Sequence, residues 1–351
     1  MDDLDRKIIS QLRCDFPLVP RPFESLGRPL RLSADEILIR LHHIKHDRGW
    51  AGLSWFFDRK KMGFKQTLAA MNISGSDAAE NALLWLSSHP GISSVYRQDH
   101  DLNLWFSISV PAEHFLSDHL ENLKRLCSVP EIYEVPCLET YIPFSGTPEA
   151  EAFAEEGRSN SAEFSGAVDA DGWRILASLE DGLPLKHRPY YELAVGAGME
   201  EARFLAALEI LVNRGVVSRK LTTVYAAPQL QVPIEWVAAW NIPEERQPSL
   251  SRKLHSISEI RHCSSRLRQD EFPYGFFVRL SGANDEAVTA AIEKIRVMLG
   301  PWPYGVWKIE RLYQKRVPAL SPGSYQQWLK KNIGKSSRDL FTWKIRRELT
   351  P

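Results

Sequence analysis

The sequence predicts an α+β protein made of two copies of one module, each a winged helix-turn-helix followed by a ferredoxin-like domain of strand order βαββαβ. Two observations support this prediction: an internal repeat, and a change from helical to strand-like apolar spacing inside each copy. The run Arg6 to Phe23 returns as Trp173 to Tyr190 at a constant offset. Shorter matches follow: Ala69–Ile73 with Ala238–Ile242, and Arg97–Asp99 with Arg268–Asp270. A duplication explains both sets of matches.

The first half of each module has the spacing of three short helices. Apolar residues between Leu4 and Leu12 predict the first helix, and a second is predicted from Phe23 to Leu30. Ser33 to Glu36 has the pattern of a capping box, which opens a third helix with its apolar face between Ile37 and Ile44. Leu53 to Phe57 then reads as the strand of a wing. Residues 1–62 are therefore predicted to form a winged helix-turn-helix.

The second half of the first module, residues 63–145, alternates between strand and helix patterns. The predicted order is strand, helix, two strands, helix and strand, which is the ferredoxin-like arrangement. The segments are Lys65–Ile73, Asp77–Ser88, Ser93–Gln98, Leu102–Val110, Ala112–Cys127 and a last strand near Ile132–Ile142.

The remainder of the chain divides in the same way. Residues 146–168 are rich in Gly, Ser, Ala and Glu and predict an acidic flexible linker. Residues 169–226 and 227–318 repeat the two halves, with helices predicted at Leu250–Ile257 and Asp285–Leu299. Residues 319–351 form a basic extension, expected to be a helix that packs on its own domain. We expect the two modules to pack as a pseudo-symmetric pair with their ferredoxin-like sheets facing each other.

Composition limits the class of protein. The 351 residues carry 44 basic and 44 acidic side chains, and 44% of the residues are apolar, which is typical of globular domains and not of disordered chains. The four cysteines lack the spacing of a zinc site, so we expect reduced, mostly buried thiols. The start lacks the pattern of a secretory signal and no apolar run is long enough to cross a membrane, so a cytoplasmic location is expected.

A winged helix followed by a ferredoxin-like domain is the layout of the Lrp/AsnC transcriptional regulators. Binding to DNA would require a recognition helix whose first turns approach the phosphates. The third helix begins with Asp35 and Glu36 in one module, and its counterpart begins with Glu200 and Glu201 in the other. Carboxylates at these positions repel the backbone of a duplex, so sequence-specific DNA binding is not expected.

Longer motifs resemble another family. The segments Leu4–Ile8, Asp15–Phe23, Leu32–Glu36 and above all Tyr96–Phe106 are similar to the siroheme decarboxylases of haem d1 and alternative haem synthesis, which are relatives of the Lrp/AsnC regulators. The resemblance covers nearly the whole first module. The second module is similar in order but has lost several signatures, and two modules in one chain resemble the fused NirD-NirL arrangement.

The resemblance implies a reaction. The acetate side chains at C12 and C18 of sirohaem lose carbon dioxide and become methyl groups, with no cofactor beyond the iron-containing substrate. This chemistry requires carboxylates held by cations, a ring that accepts the electrons left behind, and an acid that protonates the resulting carbon. The family also implies other decarboxylase subunits, or further copies of the chain, as partners, and no membrane.

The resemblance places the site in the hairpin of the first module. It implies that His100 is the proton donor, with axial ligation of the substrate iron as its alternative role. Arg97 is expected to clamp a carboxylate while Tyr96 faces the other way, because strand residues alternate. We expect Tyr96, Asn103 and Trp105 to contact the substrate.

The second module differs from the family at the corresponding positions. It has no histidine where His100 would be matched and none in the strand region Val224 to Pro233, where the family usually has one. Arginines remain, namely Arg261, Arg266 and Arg268, and we expect Arg266 and Arg268 to bind carboxylates. Three functions therefore stay open: a siroheme decarboxylase component, an Lrp/AsnC-type DNA-binding regulator, and a non-catalytic tetrapyrrole-binding subunit.

Overall fold

A computed structural model describes residues 2–47, 50–142, 168–225, 234–314 and 319–335. The predicted linker lies outside these residues except for Val168, as does the end of the basic extension from 336 onwards. The predicted boundary between residues 226 and 227, where the second helix-turn-helix ends, is likewise outside them. The predicted fold class is confirmed in both modules.

The first helix-turn-helix consists of α1 (Asp3–Cys14), α2 (Pro22–Gly27) and α3 (Ala34–Asp47). A capping box opens α1. The Asp2 carboxylate accepts from the backbone N–H of Asp5, and the Asp5 carboxylate accepts from the backbone N–H of Asp2. The predicted capping box at Ser33 and Glu36 is also formed and opens α3. The wing strand β1 (Trp50–Phe57) follows.

The first ferredoxin-like domain has the predicted order. Its elements are β2 (Phe64–Met71), α4 (Ser76–Ser88), β3 (Ile92–Arg97), β4 (Leu104–Pro111), α5 (Leu116–Cys127), β5 (Tyr133–Glu134) and β6 (Cys137–Ile142).

The second module repeats this order. Its helix-turn-helix contains α6 (Ala170–Leu179), α7 (Pro189–Gly196), α8 (Glu201–Asn213) and the wing strand β7 (Val217–Tyr225). Its ferredoxin-like domain contains β8 (Ile234–Trp240), α9 (Gln247–Ser251), β9 (Ile260–Arg266), β10 (Phe276–Gly282), α10 (Asp285–Leu299), β11 (Tyr304–Lys308) and β12 (Glu310–Gln314). A final helix, α11, spans Pro322–Asn332.

The two modules exchange their last strands, which the sequence did not predict. One sheet has the order β12-β3-β4-β2-β5 and the other the order β11-β8-β10-β9-β6, so β6 and β12 each complete the sheet of the other module. The single strand expected near Ile132–Ile142 is therefore two strands. Pro136 lies between them and lacks the N–H that would continue the ladder, so the chain crosses over at this point.

The wings provide a second connection between the modules. Strands β1 and β7 pair antiparallel with each other and form a separate two-stranded sheet. In a winged-helix regulator the wing flanks the recognition helix, whereas here the two wings use their backbone hydrogen bonds on one another. The two helix-turn-helix units are thus joined into one body.

The ferredoxin-like sheets face each other, as expected. A shared hydrophobic cluster between them combines residues of both modules, including Tyr96, Trp105, Phe272, Phe277 and Trp307. The indole of Trp105 lies edge-on to Phe272, with ring centroids 5.0 Å apart. Aromatic surface from both modules is therefore buried at the same interface.

The C-terminal helix packs on the first module and not on its own domain. Tyr325 and Trp328 of α11 belong to the hydrophobic cluster that contains the core of the first module, and they contact a buried pair of histidines of that module, His89 and His119. His89 Nε2 and His119 Nδ1 lie 2.9 Å apart. The described part of the basic extension, α11, thus packs on the module whose sheet β12 completes.

Burial of His119 predicts that the protein becomes less stable as the pH falls. Desolvation, and to a smaller extent the nearby His114, lower the pKa of His119 from 6.5 to about 4. The unfolded chain therefore binds a proton that the folded chain does not between these pH values, so the free energy of unfolding should fall by up to about 3 kcal/mol as pH decreases from 6.5 to 4. His119→Gln should flatten this pH dependence in denaturant titrations. His43→Gln, on the exposed side of α3, should leave it unchanged; equal curves for the two variants would contradict the assignment.

Candidate functional site in the cleft between the sheets

A cleft opens between the two facing sheets. Its empty volume, counting the space that opens to solvent, is about 530 Å³. Both modules contribute to its walls. The lining residues are Leu68, Tyr96, Gln98, Trp105, Ser107, Val237, His262, Arg266, Phe277, Val278, Arg279 and Ile309.

The lining is pseudo-symmetric. Leu68 pairs with Ser107 in one sheet, and Val237 pairs with Arg279 in the other, so these pairs occupy equivalent positions. By the same registers Trp105 corresponds to Phe277 and Gln98 to Arg266. The backbone agrees, since Gln98 N–H donates to Asn103 and Arg266 N–H donates to Gly275.

This register corrects one match made from the sequence. The repeat aligned Arg97–Asp99 with Arg268–Asp270, whereas strand pairing aligns Gln98 with Arg266. The longer hairpin between β9 and β10 hides this shift in the sequence. Arg268 is therefore not the counterpart of Arg97.

The equivalent positions differ in charge. The second module places Arg266 and Arg279 in the cleft, where the first has the neutral Gln98 and Ser107. The cross-strand partner of Arg279 is His262, and the corresponding partner of Ser107 is Ser94. One wall of the cleft is thus cationic and the other is neutral, and both carry aromatic side chains.

The two cleft arginines are nearly buried. Arg266 donates from Nη1 to the carbonyl of Val135 at 3.0 Å and lies over the ring of Phe277 at 5.6 Å. Arg279 donates to Glu235 at 2.8 Å and lies over the ring of Tyr96 at 5.3 Å. The Cζ of each guanidinium therefore lies over an aromatic ring, and this contact limits the exposure of the cation to water.

His262 is a candidate functional residue that sequence reasoning missed. It is buried in the cleft wall, and desolvation together with Arg266 and Arg279 holds its pKa well below the ordinary value. A bound carboxylate would offset these cations and favour the protonated imidazole. The sequence contained one signal for His262. It lies four residues before Arg266, and residues four apart in a strand lie on the same face of the sheet.

His100 lies beside the cleft and is not among the described residues that line it. Its ring is half-buried, with Phe272 and Trp307 edge-on at centroid distances of 5.1 and 5.2 Å, and its Nδ1 accepts from the N–H of Leu102. Burial lowers the pKa of His100, against an opposing effect of Asp101. The nitrogen left for other contacts is Nε2.

Tyr96 and Arg97 alternate as expected but with their faces reversed. Tyr96 lines the cleft, where its hydroxyl shares a 2.8 Å hydrogen bond with Ser94. Arg97 lies on the outer face, half exposed and 3.7 Å from Glu310 of the exchanged strand β12. A carboxylate clamp at Arg97 is therefore not part of the cleft as it stands.

The other expected contact residues divide in the same way. Trp105 lines the cleft and donates from Nε1 to the carbonyl of Leu102. Asn103 instead bridges the backbone of Ile73, accepting from its N–H at 2.9 Å and donating to its carbonyl at 2.8 Å. Arg268 donates to the carbonyl of Ile242, outside the cleft wall.

Comparisons with known proteins agree with this architecture. The sequence profile described as the siroheme decarboxylase NirDL-like HTH domain matches residues 5–48 and 173–217, and the AsnC-like ligand binding domain matches 61–141 and 236–316. The siroheme decarboxylase of Hydrogenobacter thermophilus is 24% identical over 93% of this chain and 98% of its own length. The siroheme decarboxylase NirG subunit of Paracoccus pantotrophus is 33% identical over 31% of this chain and 69% of its own length.

The chain belongs to the siroheme decarboxylase family.

A solved structure of the family has the same fold. The crystal structure of the siroheme decarboxylase NirDL matches with a TM-score of 0.74 and 22% identity, over 94% of this chain and 98% of that chain. A second NirDL structure, with the same score, is a co-complex with an iron-uroporphyrin III analogue.

Two other kinds of feature are absent from the described ranges. In that part of the chain no helix is both long and apolar enough to cross a membrane. Nor does it contain a group of three or more His, Cys, Asp or Glu side chains arranged to hold a metal ion.

Asn103 lies in the family motif Tyr96–Phe106, and a substitution can test whether its side chain stabilises the fold or binds the ligand. Asn103→Ala removes two hydrogen bonds to the backbone of Ile73, so the free energy of unfolding should fall by about 1–2 kcal/mol. Asn213→Ala, at an exposed position of α8, should change it little. Unchanged stability with a weakened affinity for an iron porphyrin would show that the amide serves the ligand instead.

Proposed function

We propose that the chain is a carboxy-lyase that removes carbon dioxide from the C12 and C18 acetates of sirohaem, in haem d1 biosynthesis. The observation that carries the proposal is the division of the cleft: aromatic side chains line it on both walls, whereas the cations lie on one. A flat macrocycle with carboxylates on its rim is complementary to such a cleft. Relatives named as siroheme decarboxylases, and one solved with an iron-uroporphyrin analogue, support this substrate class.

The chemistry assigns different tasks to the cationic and the aromatic side chains of the cleft. Arg266 and Arg279 bind rim carboxylates, while Trp105 and Phe277 cover the ring and exclude water. When the C–C bond breaks, carbon dioxide leaves and the electron pair stays on the methylene carbon, where the macrocycle delocalises it. A proton then forms the methyl group. No cofactor beyond the iron-containing substrate is required by this scheme.

His100 is the proposed proton donor, with ligation of the substrate iron as the alternative role. Its Nε2 is the available nitrogen, because Nδ1 is occupied by the N–H of Leu102. Phe272 and Trp307 now pack against the imidazole, so the proposal requires the hairpin that carries Phe272 to shift when the ligand enters. Arg97 is the last residue of β3, close to His100 in the chain, and we retain it as the proposed clamp for a substrate carboxylate.

The proposal includes partners and a location. Relatives are named as subunits, including the alpha subunit of Desulfovibrio desulfuricans and NirG, so we propose that other decarboxylase subunits, or further copies of this chain, complete the activity. We place the reaction in the cytoplasm.

DNA binding has less support than decarboxylation. Asp35, at the start of α3, is 3.0 Å from His187, and Glu201, at the start of α8, is paired with Arg188. Both starts are therefore occupied by contacts within the chain, and the wings are paired with each other. These features leave the helix-turn-helix units as scaffolding that joins the modules.

Anaerobic incubation with sirohaem, followed by mass analysis of the tetrapyrrole, tests the proposed reaction. We expect the loss of one or two carbon dioxide units, by the chain alone or with candidate partner subunits. Binding without loss under every combination would identify a non-catalytic tetrapyrrole-binding subunit. Absence of both binding and loss would refute the proposal.

Replacement of His100 separates its two roles. If it delivers the proton, His100→Ala should still bind sirohaem but form product about 10²- to 10⁴-fold more slowly, the usual scale for a general acid. If it ligates the iron, the visible spectrum of the bound substrate should change as well. His255→Ala, an exposed histidine far from the hairpin in sequence, is the control. Turnover and a spectrum equal to those of the unmodified chain would mean that His100 has neither role.

A further inference from the structure

Glu235 holds two arginines that come from different sheets. Its carboxylate accepts from Arg279 of β10 at 2.8 Å and from Arg311 of the exchanged strand β12 at 2.7 Å. The three side chains are 15%, 10% and 17% exposed, respectively. One carboxylate thus links the cationic wall of the cleft to the edge of the opposite sheet.

The first module shows that the fold does not need this charged group. Strand registers equate Glu235 with Gln66, Arg279 with Ser107, and Arg311 with Thr140. All three counterparts are neutral, yet the first module forms the same sheet. The three charges are therefore not needed to form the sheet, and we expect them to have a role on one side of the cleft only.

A buried carboxylate is unexpected beside a cleft proposed to bind a polycarboxylate. Together Glu235, Arg279 and Arg311 carry one net positive charge, so removing Glu235 would raise the positive charge of this wall. If attraction of anions were all that mattered, the site would bind better without it. Burying three charges is also costly unless their geometry is fixed and useful.

We propose that Glu235 is a positioning residue that orients the Arg279 guanidinium for a carboxylate of the cleft ligand. The Cζ of Arg279 lies 5.3 Å from the centroid of the Tyr96 ring, and Glu235 accepts from Nη2 at 2.8 Å, so contacts from two elements fix the rotation of the guanidinium at the cleft wall. Arg311 neutralises Glu235, so that this carboxylate does not repel the ligand. The inference rests on the proposed function for the chemical class of its ligand.

The ionisation of the group agrees with this role. Burial by itself would raise the pKa of Glu235, but Arg279 and Arg311 outweigh it and hold the pKa below its ordinary value. Glu235 is therefore a carboxylate at neutral pH and accepts from both arginines.

Two substitutions of Glu235 separate positioning from simple charge balance. Glu235→Gln removes one negative charge, so the net charge beside the cleft rises by one. Glu235→Asp keeps the charge but shortens the side chain by one methylene. Affinity for iron uroporphyrin, measured by visible absorbance titration at fixed salt, should fall about 10-fold or more in both variants. Charge balance alone predicts tighter binding for Glu235→Gln and no change for Glu235→Asp.

Asp285→Asn is the matched control, because it also removes one carboxylate from the second module. Asp285 pairs with Lys308 at 2.8 Å on the exposed surface, and the substitution should change affinity less than 2-fold. In an Arg279→Gln background, Glu235→Asp should have no further effect, since the residue it positions is gone. Thermal unfolding checks that each variant is folded, and a misfolded Glu235→Gln leaves the charge-conserving Glu235→Asp as the decisive variant.

Unchanged or tighter binding by Glu235→Asp, or an equal loss with and without Arg279, would overturn the inference. Failure of the proposed function has a different signature, because the unmodified chain would then release no carbon dioxide from sirohaem. The porphyrin titration does not depend on turnover, so the two outcomes are read separately.

Discussion

The exchange of strands between the modules is the constraint on which the rest of the structure depends. Each ferredoxin-like sheet is complete only when β6 or β12 arrives from the other module. Because backbone hydrogen bonds, and not only side-chain packing, then join the halves, the two sheets are held facing each other. The paired wings and the helix α11 secure the same arrangement from outside. A duplicated chain thereby forms one cleft in place of two independent modules.

Duplication also allowed the two walls of that cleft to diverge. Equivalent positions hold Gln98 and Arg266, or Ser107 and Arg279, so one copy is cationic where the other is neutral. A tetrapyrrole whose rim carries different substituents has no two-fold symmetry that a symmetric cleft could recognise. The second module has no histidine in the hairpin that corresponds to the one with His100, yet it supplies the buried cations. The two modules therefore contribute different side chains to one cleft.

Much of the fold was predictable from the sequence because it depends on local patterns. The repeat, the capping box at Ser33 and Glu36 and the spacing of apolar residues predicted the elements and their order. The faces of Tyr96 and Arg97 were assigned wrongly because alternation says that neighbours point apart and not which of them points inward. The match of Arg97 with Arg268 failed for a related reason: the longer second hairpin shifts the register, and a short identity can occur in the wrong register by chance.

The sequence by itself determined the class of the protein, its duplication and the family motif around His100. Only the tertiary structure decided what meets in the cleft. His262, Arg279 and Glu235 lie outside every motif, and each becomes meaningful through a partner distant in the chain, such as Tyr96 for Arg279 or Arg311 for Glu235. Local spacing encodes helices, strands and caps, since these depend on neighbouring residues. It does not encode that β6 crosses at Pro136 or that β12 crosses after β11, and the crossing of β12 brings Arg311 to Glu235.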